Sequence, residues 1–189
     1  MLKIGVLSLQ GDFKEHIEML RKCNVDAVEV RMPEDLEDAD GLIIPGGEST
    51  TMGNLMQRHN LDKAIIKKHQ KGMAIYGTCA GAILLSKSIL GSGQPSLKLL
   101  DISVKRNDYG RQIDSFEAEL NIEKIGKFNG IFIRAPVIEK LNNGVKILAE
   151  LNNNPVLVQQ KNILASAFHP ELTNDKRVHE YFIGIVKNS

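Results

Sequence analysis

Hydrophobic and polar positions along the chain fall into two textures. In the first half, short apolar runs at Leu2–Leu9, Gly41–Pro45 and Met73–Tyr76 read as buried strands, and Asp26–Arg31 alternates like one. Between them, Phe13–Lys22, Thr50–Arg58, Leu61–Lys71 and Ala80–Ile89 read as helices; in the first, Phe13, Ile17 and Leu20 recur at helical spacing. This β-α-β-α rhythm predicts an α/β fold: an open, largely parallel sheet with crossover helices on both faces. After Gly91 the texture changes. Leu99–Arg106, Ser115–Ile122, Gly130–Arg134, Val145–Glu150, Pro155–Gln160 and Ile163–Phe168 are strand-like with few helical segments between them, and Arg177–Lys187 reads as a helix. The second half is therefore expected to add antiparallel or mixed strands. Asn142-Asn143-Gly144 and Asn152-Asn153-Asn154-Pro155 read as turns, and with no linker or repeat a single domain over residues 1–189 is expected.

Composition narrows the function classes. The chain has 189 residues, 42% hydrophobic and 25% charged, with a net charge of +1, so no general attraction to nucleic acid or anionic membrane is expected. No stretch approaches the ~20 apolar residues of a membrane span. The opening MLKIGVLSLQGD lacks the basic leader and cleavage site of a secretory signal, and the two cysteines, Cys23 and Cys79, make no disulfide framework. A reducing, cytoplasmic setting is the expectation.

Candidate chemistry gathers where such sheets bind ligands, beyond the carboxyl ends of strands. Three segments sit there: GGEST after GLIIP, GTCAG after MAIY, and HPE after ILASAF. Gly77-Thr78-Cys79-Ala80-Gly81 has the form of a nucleophile elbow with cysteine in place of serine. Gly77 and Gly81 leave room for a tight strand-to-helix turn, which presents Sγ at a helix start and aims the Ala80 N–H at a developing oxyanion. A packed, inert thiol is the bland alternative. His169 and Glu171, two apart in an extended segment, would face the same side, as general base and as the acid that orients it. Gly46 and Gly47 allow close backbone approach, the Gly47 N–H offers a second oxyanion donor, and Ser49 or Thr50 can cap the next helix.

Other residues get plainer readings. His16, His59, His69 and His179 lie on helix patterns among charges and are expected to be solvated. Cys23 is expected to pack, and Arg106 and Arg134 to mark strand ends. No metal-ligand spacing occurs, so no metal site is expected.

The order nucleophile, histidine, then acid two residues later differs from that of α/β-hydrolases. Together with LQGDFKEH, LIIPGGESTTM, YGTCAGAILL, VKRNDYGRQIDSFEAEL, IFIRAPVI and SAFHPELTND, it resembles the class I (triad) glutamine amidotransferase family, and within it the glutaminases that serve pyridoxal 5′-phosphate synthases. The resembling segments span nearly the whole chain. The resemblance implies a Cys79, His169 and Glu171 triad that hydrolyses L-glutamine through a γ-glutamyl thioester, with no cofactor. It implies that Gly47, Glu48, Ser49, Arg106, Arg134 and Ala135 bind glutamine. It further implies a (β/α)8-barrel synthase subunit that switches the glutaminase on and receives its ammonia, with Gln10, Gly11 and Asp12 near the docking surface and the oxyanion hole. A glutaminase serving another synthase and a non-catalytic regulatory module on the same fold are the alternatives.

Overall fold

The computed structural model describes residues 2–106, 115–142 and 144–189. Asn143 of the first predicted turn, and residues 107–114 of the RN..GRQ segment, lie outside the described residues. In chain order the elements are β1 (Lys3–Leu7), α1 (Phe13–Lys22), β2 (Asp26–Val30), a 3-10 turn (Pro33–Leu36), β3 (Gly41–Ile44), α2 (Ser49–Arg58), α3 (Leu61–Gln70), β4 (Ala74–Thr78), α4 (Ala80–Leu85), β5 (Ser86–Leu90) and β6 (Leu100–Lys105). There follow β7 (Ser115–Ile122), β8 (Gly126–Ile133), β9 (Val137–Leu141), β10 (Lys146–Leu151), β11 (Asn154–Gln160), β12 (Ile163–Ser166), a 3-10 turn (Pro170–Leu172) and α5 (Arg177–Lys187).

The main sheet has seven strands in the order β10-β11-β12-β4-β3-β1-β2. The block from β12 to β2 is parallel, and β10 and β11 extend it antiparallel, as the change of texture predicted. A three-stranded sheet β5-β6-β9 and the hairpin β7-β8 complete the fold.

Period-two alternation splits the strand side chains between two cores. Leu42, Ile44 and Ile75 face one side and meet Met52, Met56, Leu61, Ile65 and Leu84 of α2, α3 and α4. Ile4, Val6, Ile43, Tyr76 and Leu164 face the other and meet Ile17, Leu20, Val178, Phe182 and Val186 of α1 and α5. Each such Leu, Ile or Phe contributes roughly 1.5–3 kcal/mol on burial, so the two layers fix which strand ends point the same way. None of the described helices is long and apolar enough to cross a membrane.

The structure departs from the sequence reading in two places that touch the site. The helix expected over Ala80–Ile89 stops at Leu85, and Ser86–Leu90 pairs with β6 as a strand. Ser86 turns extended (ψ 149) and its hydroxyl donates to the Ile83 carbonyl at 2.7 Å, closing the last helical turn. His169-Pro170-Glu171 is not extended either: His169 caps a 3-10 turn with Pro170 at its first position, held by the Thr173 hydroxyl donating to the Pro170 carbonyl at 2.9 Å. Strand β9 was not read from the sequence at all; its alternation is brief, and it is held by pairing with β6.

Candidate active site

The carboxyl ends of β1, β3, β4 and β12 open on the same edge of the sheet, and each delivers part of the site. At the end of β4, Cys79 has φ +49 and ψ −102, a backbone state that side-chain-bearing residues rarely adopt and that costs ~1–3 kcal/mol. Its neighbours explain how the turn closes. A Cβ on Gly81 would lie 2.0 Å from the Ile44 carbonyl oxygen, and one on Gly77 would lie 2.5 Å from the Gly81 backbone. The Cys79 N–H donates to the Ser166 carbonyl at 2.8 Å, fastening the elbow to β12. The residue is 7% exposed and its thiol points to the Ile133 carbonyl, 3.7 Å away.

His169 follows β12 and is tied to β8, its N–H donating to the Ile131 carbonyl at 2.8 Å. Its Nδ1 lies 2.7 Å from Glu171 Oε1, while Nε2 is buried and makes no hydrogen bond among the described residues. The 3-10 turn therefore brings His169 and Glu171 together, but with Glu171 behind the imidazole and not beside it. Burial lowers the His169 pKa, yet Asp12, Cys79 and Glu171 outweigh it and raise the imidazole well above its ordinary value. Burial pushes the Glu171 carboxyl up, against the pull of His169.

The sequence reading placed Asp12 only near the docking surface and the oxyanion hole and gave it no part at the imidazole. Its Oδ2 stands 3.4 Å from His169 Nδ1, making a second carboxylate on that nitrogen. The signal for it was positional: it lies in the loop at the carboxyl end of β1. Asp12, His169 and Glu171 bring ligand atoms within 4.8 Å of one another, a grouping that sequence spacing did not show. Since two of its members make up the imidazole–carboxylate pair, a cation there would compete with that pair.

The loop after β3 is held from two sides. Glu48, not Ser49 or Thr50, caps α2: its carboxylate accepts the N–H groups of Thr50 and Thr51 at 3.2 and 2.7 Å and the Thr51 hydroxyl at 2.7 Å. The helix begins one residue earlier than expected, so the preceding acid is the one placed to meet its free donors. Although its small burial raises the carboxyl, the Thr51 and Thr50 bonds and Arg106 bring Glu48 down to about 2. Arg106 donates to Glu48 Oε1 at 3.0 Å, to the Thr50 hydroxyl at 2.9 Å and to Gln94 Oε1 at 2.6 Å. Gln94, unremarked in the sequence, also donates to the Ser49 hydroxyl at 3.0 Å. On the other side, Gly11 (φ +96) packs so tightly that a Cβ would lie 1.8 Å from the Gly46 oxygen, and the Asp12 N–H donates to that oxygen at 3.1 Å.

These pieces enclose a cavity of about 270 Å³ lined by Cys79, Ala80, Gly47, Glu48, Ser49 and His169, with Asp12, Arg106 and Arg134 among its further walls. Arg134 is exposed at the end of β8, while Ala135 is buried behind it and does not line the cavity. Gln10 and Gly11 also sit behind the lining and press on it. A larger groove of about 660 Å³ beside α5, lined by Lys124, Lys161 and Tyr181, carries neither cysteine nor histidine.

The solvated positions expected for His16 and His179 are wrong: both are fully buried, because α1 and α5 pack side by side on one face of the sheet. His59 and His69 are partly exposed, and His69 Nδ1 meets the Met73 carbonyl at 3.0 Å. Cys23, half-buried, packs against the α1–α5 core as expected.

Comparisons with known proteins identify the family. Residues 6–188 match the SNO glutamine amidotransferase family. The chain is 53% identical over 186 residues to the pyridoxal 5′-phosphate synthase subunit PdxT of Desulforamulus reducens, covering 97% of this chain and 99% of that one. It is 52% identical over 182 residues to a subunit of the same name from Thermus thermophilus, covering 95% of each. A crystal structure of a glutamine amidotransferase superposes with a TM-score of 0.95 at 50% identity, covering 97% of this chain and 98% of that one. PurLQS from Thermotoga maritima, at 16% identity and a TM-score of 0.75 over 97% of this chain and 98% of that one, shares the fold. With the match running from β1 to the end of α5, the chain belongs to the SNO glutamine amidotransferase family.

Proposed function

We propose that this protein is the glutaminase subunit of a pyridoxal 5′-phosphate synthase complex, with residues 1–189 forming one glutaminase domain. It hydrolyses L-glutamine to L-glutamate and ammonia, and the ammonia serves vitamin B6 synthesis on a (β/α)8-barrel synthase subunit. The observation that carries the reading is the array of Cys79, His169 and Glu171 at one end of a 270 Å³ cavity whose other walls bear Arg106, Arg134 and Glu48. Two cations and a carboxylate suit the α-carboxylate and α-ammonium of an amino acid, leaving its side-chain amide at the thiol. The shared identity with PdxT subunits over nearly the whole chain supports the pathway.

In the mechanism, an imidazolium on His169 is the partner that a Cys79 thiolate needs. Sulfur attacks the carboxamide carbon, and the N–H groups of Gly47 and Ala80 receive the oxyanion. His169 gives its proton to the departing nitrogen, ammonia leaves, and a γ-glutamyl thioester remains. His169 then takes a proton from water; the hydroxide adds to the thioester, the C–S bond breaks, and glutamate departs. Glu171 holds Nδ1 throughout. Gln10 and Gly11, which press on the Gly46-Gly47 turn, connect this oxyanion site to the docking surface. The two cysteines are unpaired, in keeping with a cytoplasmic setting.

The test is glutamate release with and without a pyridoxal 5′-phosphate synthase barrel. Stimulation by the barrel is expected; release that ignores the barrel sinks the pathway assignment. Release by Cys79→Ala equal to that of the parent sinks the triad.

A further inference from the structure

The reaction above leaves two buried histidines without a role, and both lie directly behind the triad. His16 on α1 and His179 on α5 are fully buried, with His16 Nδ1 2.9 Å from His179 Nε2. The other face of His16 looks at the site: Nε2 is 3.1 Å from the Thr78 hydroxyl and 3.4 Å from Glu171 Oε2. That carboxylate oxygen is buried and makes no closed hydrogen bond among the described residues.

We propose that His16, backed by His179, is a positioning residue for the glutaminase reaction: its Nε2–H steadies the second oxygen of Glu171 and so fixes the carboxylate plane that orients His169. This rests on the glutaminase reading.

Counting protons decides which way the chain of contacts runs. Burial holds both rings neutral: it lowers the His179 pKa to about 3, and with the neighbouring imidazoles of His179 and His169 disfavouring a further proton it lowers that of His16 well below its ordinary value. Two neutral imidazoles meeting nitrogen to nitrogen share one proton between them. If His16 donated from Nδ1, its bare Nε2 would face a carboxylate oxygen, and His179 would be left with an Nδ1–H that has no acceptor among the described residues, since that atom is buried and unpartnered there. The opposite arrangement removes both conflicts. His179 Nε2–H donates to His16 Nδ1, His16 Nε2–H points to Glu171 and Thr78, and the chain ends on a lone pair at His179 Nδ1. Glu171 is then held from both sides, by His169 on Oε1 at 2.7 Å and by His16 on Oε2. The groups facing the pair are Thr78 from β4, Glu171 and His169 beyond the end of β12, and the Tyr76 ring, 6.3 Å from that of His179.

The test has two arms. In the first, nitrogen-15 histidine NMR of the full-length protein is expected to show neutral Nε2–H tautomers at both His16 and His179 between pH 6 and 8; a bare Nε2 on His16 overturns the proposal. In the second, glutamate release is measured with the synthase barrel present. His16→Leu is expected to lower kcat about ten-fold or more with KM for glutamine unchanged, as for other residues that hold a ligand or catalytic group from behind. His16→Gln, which can return an N–H near the Nε2 position, is expected to recover most of the loss. Native kcat in a folded His16→Leu, or a folded His16→Gln no better than it, overturns the proposal. If both variants unfold, the tautomer measurement decides alone. A parent complex that releases no glutamate refutes the glutaminase reading instead, and leaves the tautomer result standing on its own.

Discussion

The side-chain carbonyl of Gln10 accepts the Glu48 N–H at 2.6 Å, so one hydrogen bond joins the loop after β1 to the loop after β3. The same oxygen would lie 2.4 Å from a Cβ placed on Gly47, which leaves the turn no space to carry a side chain. Gln10→Ala frees the Glu48 N–H and unpins the turn that presents the Gly47 N–H. The expected outcome is a roughly ten-fold lower kcat in the complex, below the ~10²–10³ cost of deleting an oxyanion donor outright. A kcat within two-fold of the parent would show that the turn holds its shape without Gln10.

Glu48 serves a helix and a cation at once, and the two roles separate by substitution. Glu48→Ala loses the α2 cap and the Arg106 contact, for an expected loss of about 1 kcal/mol in urea unfolding and a higher KM for glutamine. Glu48→Gln keeps one acceptor oxygen, which can still take the shorter cap bond from the Thr51 N–H, but has no charge for Arg106. Its stability is expected near the parent's with KM still raised; if stability and KM moved together in both variants, the separation of roles would be wrong.

Cys79 holds its strained backbone for the sake of its position. With φ +49, Cys79→Gly is expected to be about 1 kcal/mol more stable than Cys79→Ala, while both lose glutaminase activity. Chemical denaturation of the two side by side is the measurement, and equal midpoints would mean that the elbow carries no such strain.

The buried histidines set an acid limit on stability. His179 has a folded pKa of about 3 against an ordinary 6.5, so the folded state refuses a proton that the unfolded chain accepts. Its contribution is full above pH 6.5 and is lost as pH falls from 6.5 toward 3. Between pH 7 and 5 the loss is about 2 kcal/mol. His16, also depressed, acts in the same direction. His169, raised, keeps its proton in the folded state across this window and acts in the opposite one. The informative quantity is therefore the difference between the parent and His179→Phe. The variant is expected to lose less stability from pH 7 to pH 5; parallel profiles would contradict a neutral, buried His179.

How much of this could be read in the sequence depended on whether the information was local. Cys79 between Gly77 and Gly81 carried its geometry in adjacent residues, and the alternation of textures carried the sheet, whereas His169 and Glu171 were legible as a pair but not as parts of a 3-10 turn. The cap at Glu48 was misplaced because GGEST offers three side chains able to accept from a helix start, and only the first helical residue decides among them. Gln94 meets Ser49 from 45 residues away, and His16 meets His179 from 163, so no window along the chain contains either pair. Helical periodicity marks a face; it does not say that a histidine on that face has found another histidine. The end of α4 was misjudged because Leu84, Leu85 and Ile89 suit a helix and a strand alike, and pairing with β6 decided the outcome.

Strand β12 enters the interior of the main sheet, between β11 and β4, although it follows every other described strand in the chain. While the chain is still on the ribosome, β4 waits with one edge open, and the elbow lacks the Ser166 carbonyl that fastens it. His169, Glu171 and His179 all follow β12 in the chain. On the proposed triad, a chain cut short before β12 carries Cys79 without its base and acid, and loses an interior strand of its sheet, not the rim. On the proposed mechanism, completion of the site and completion of the main sheet are one event.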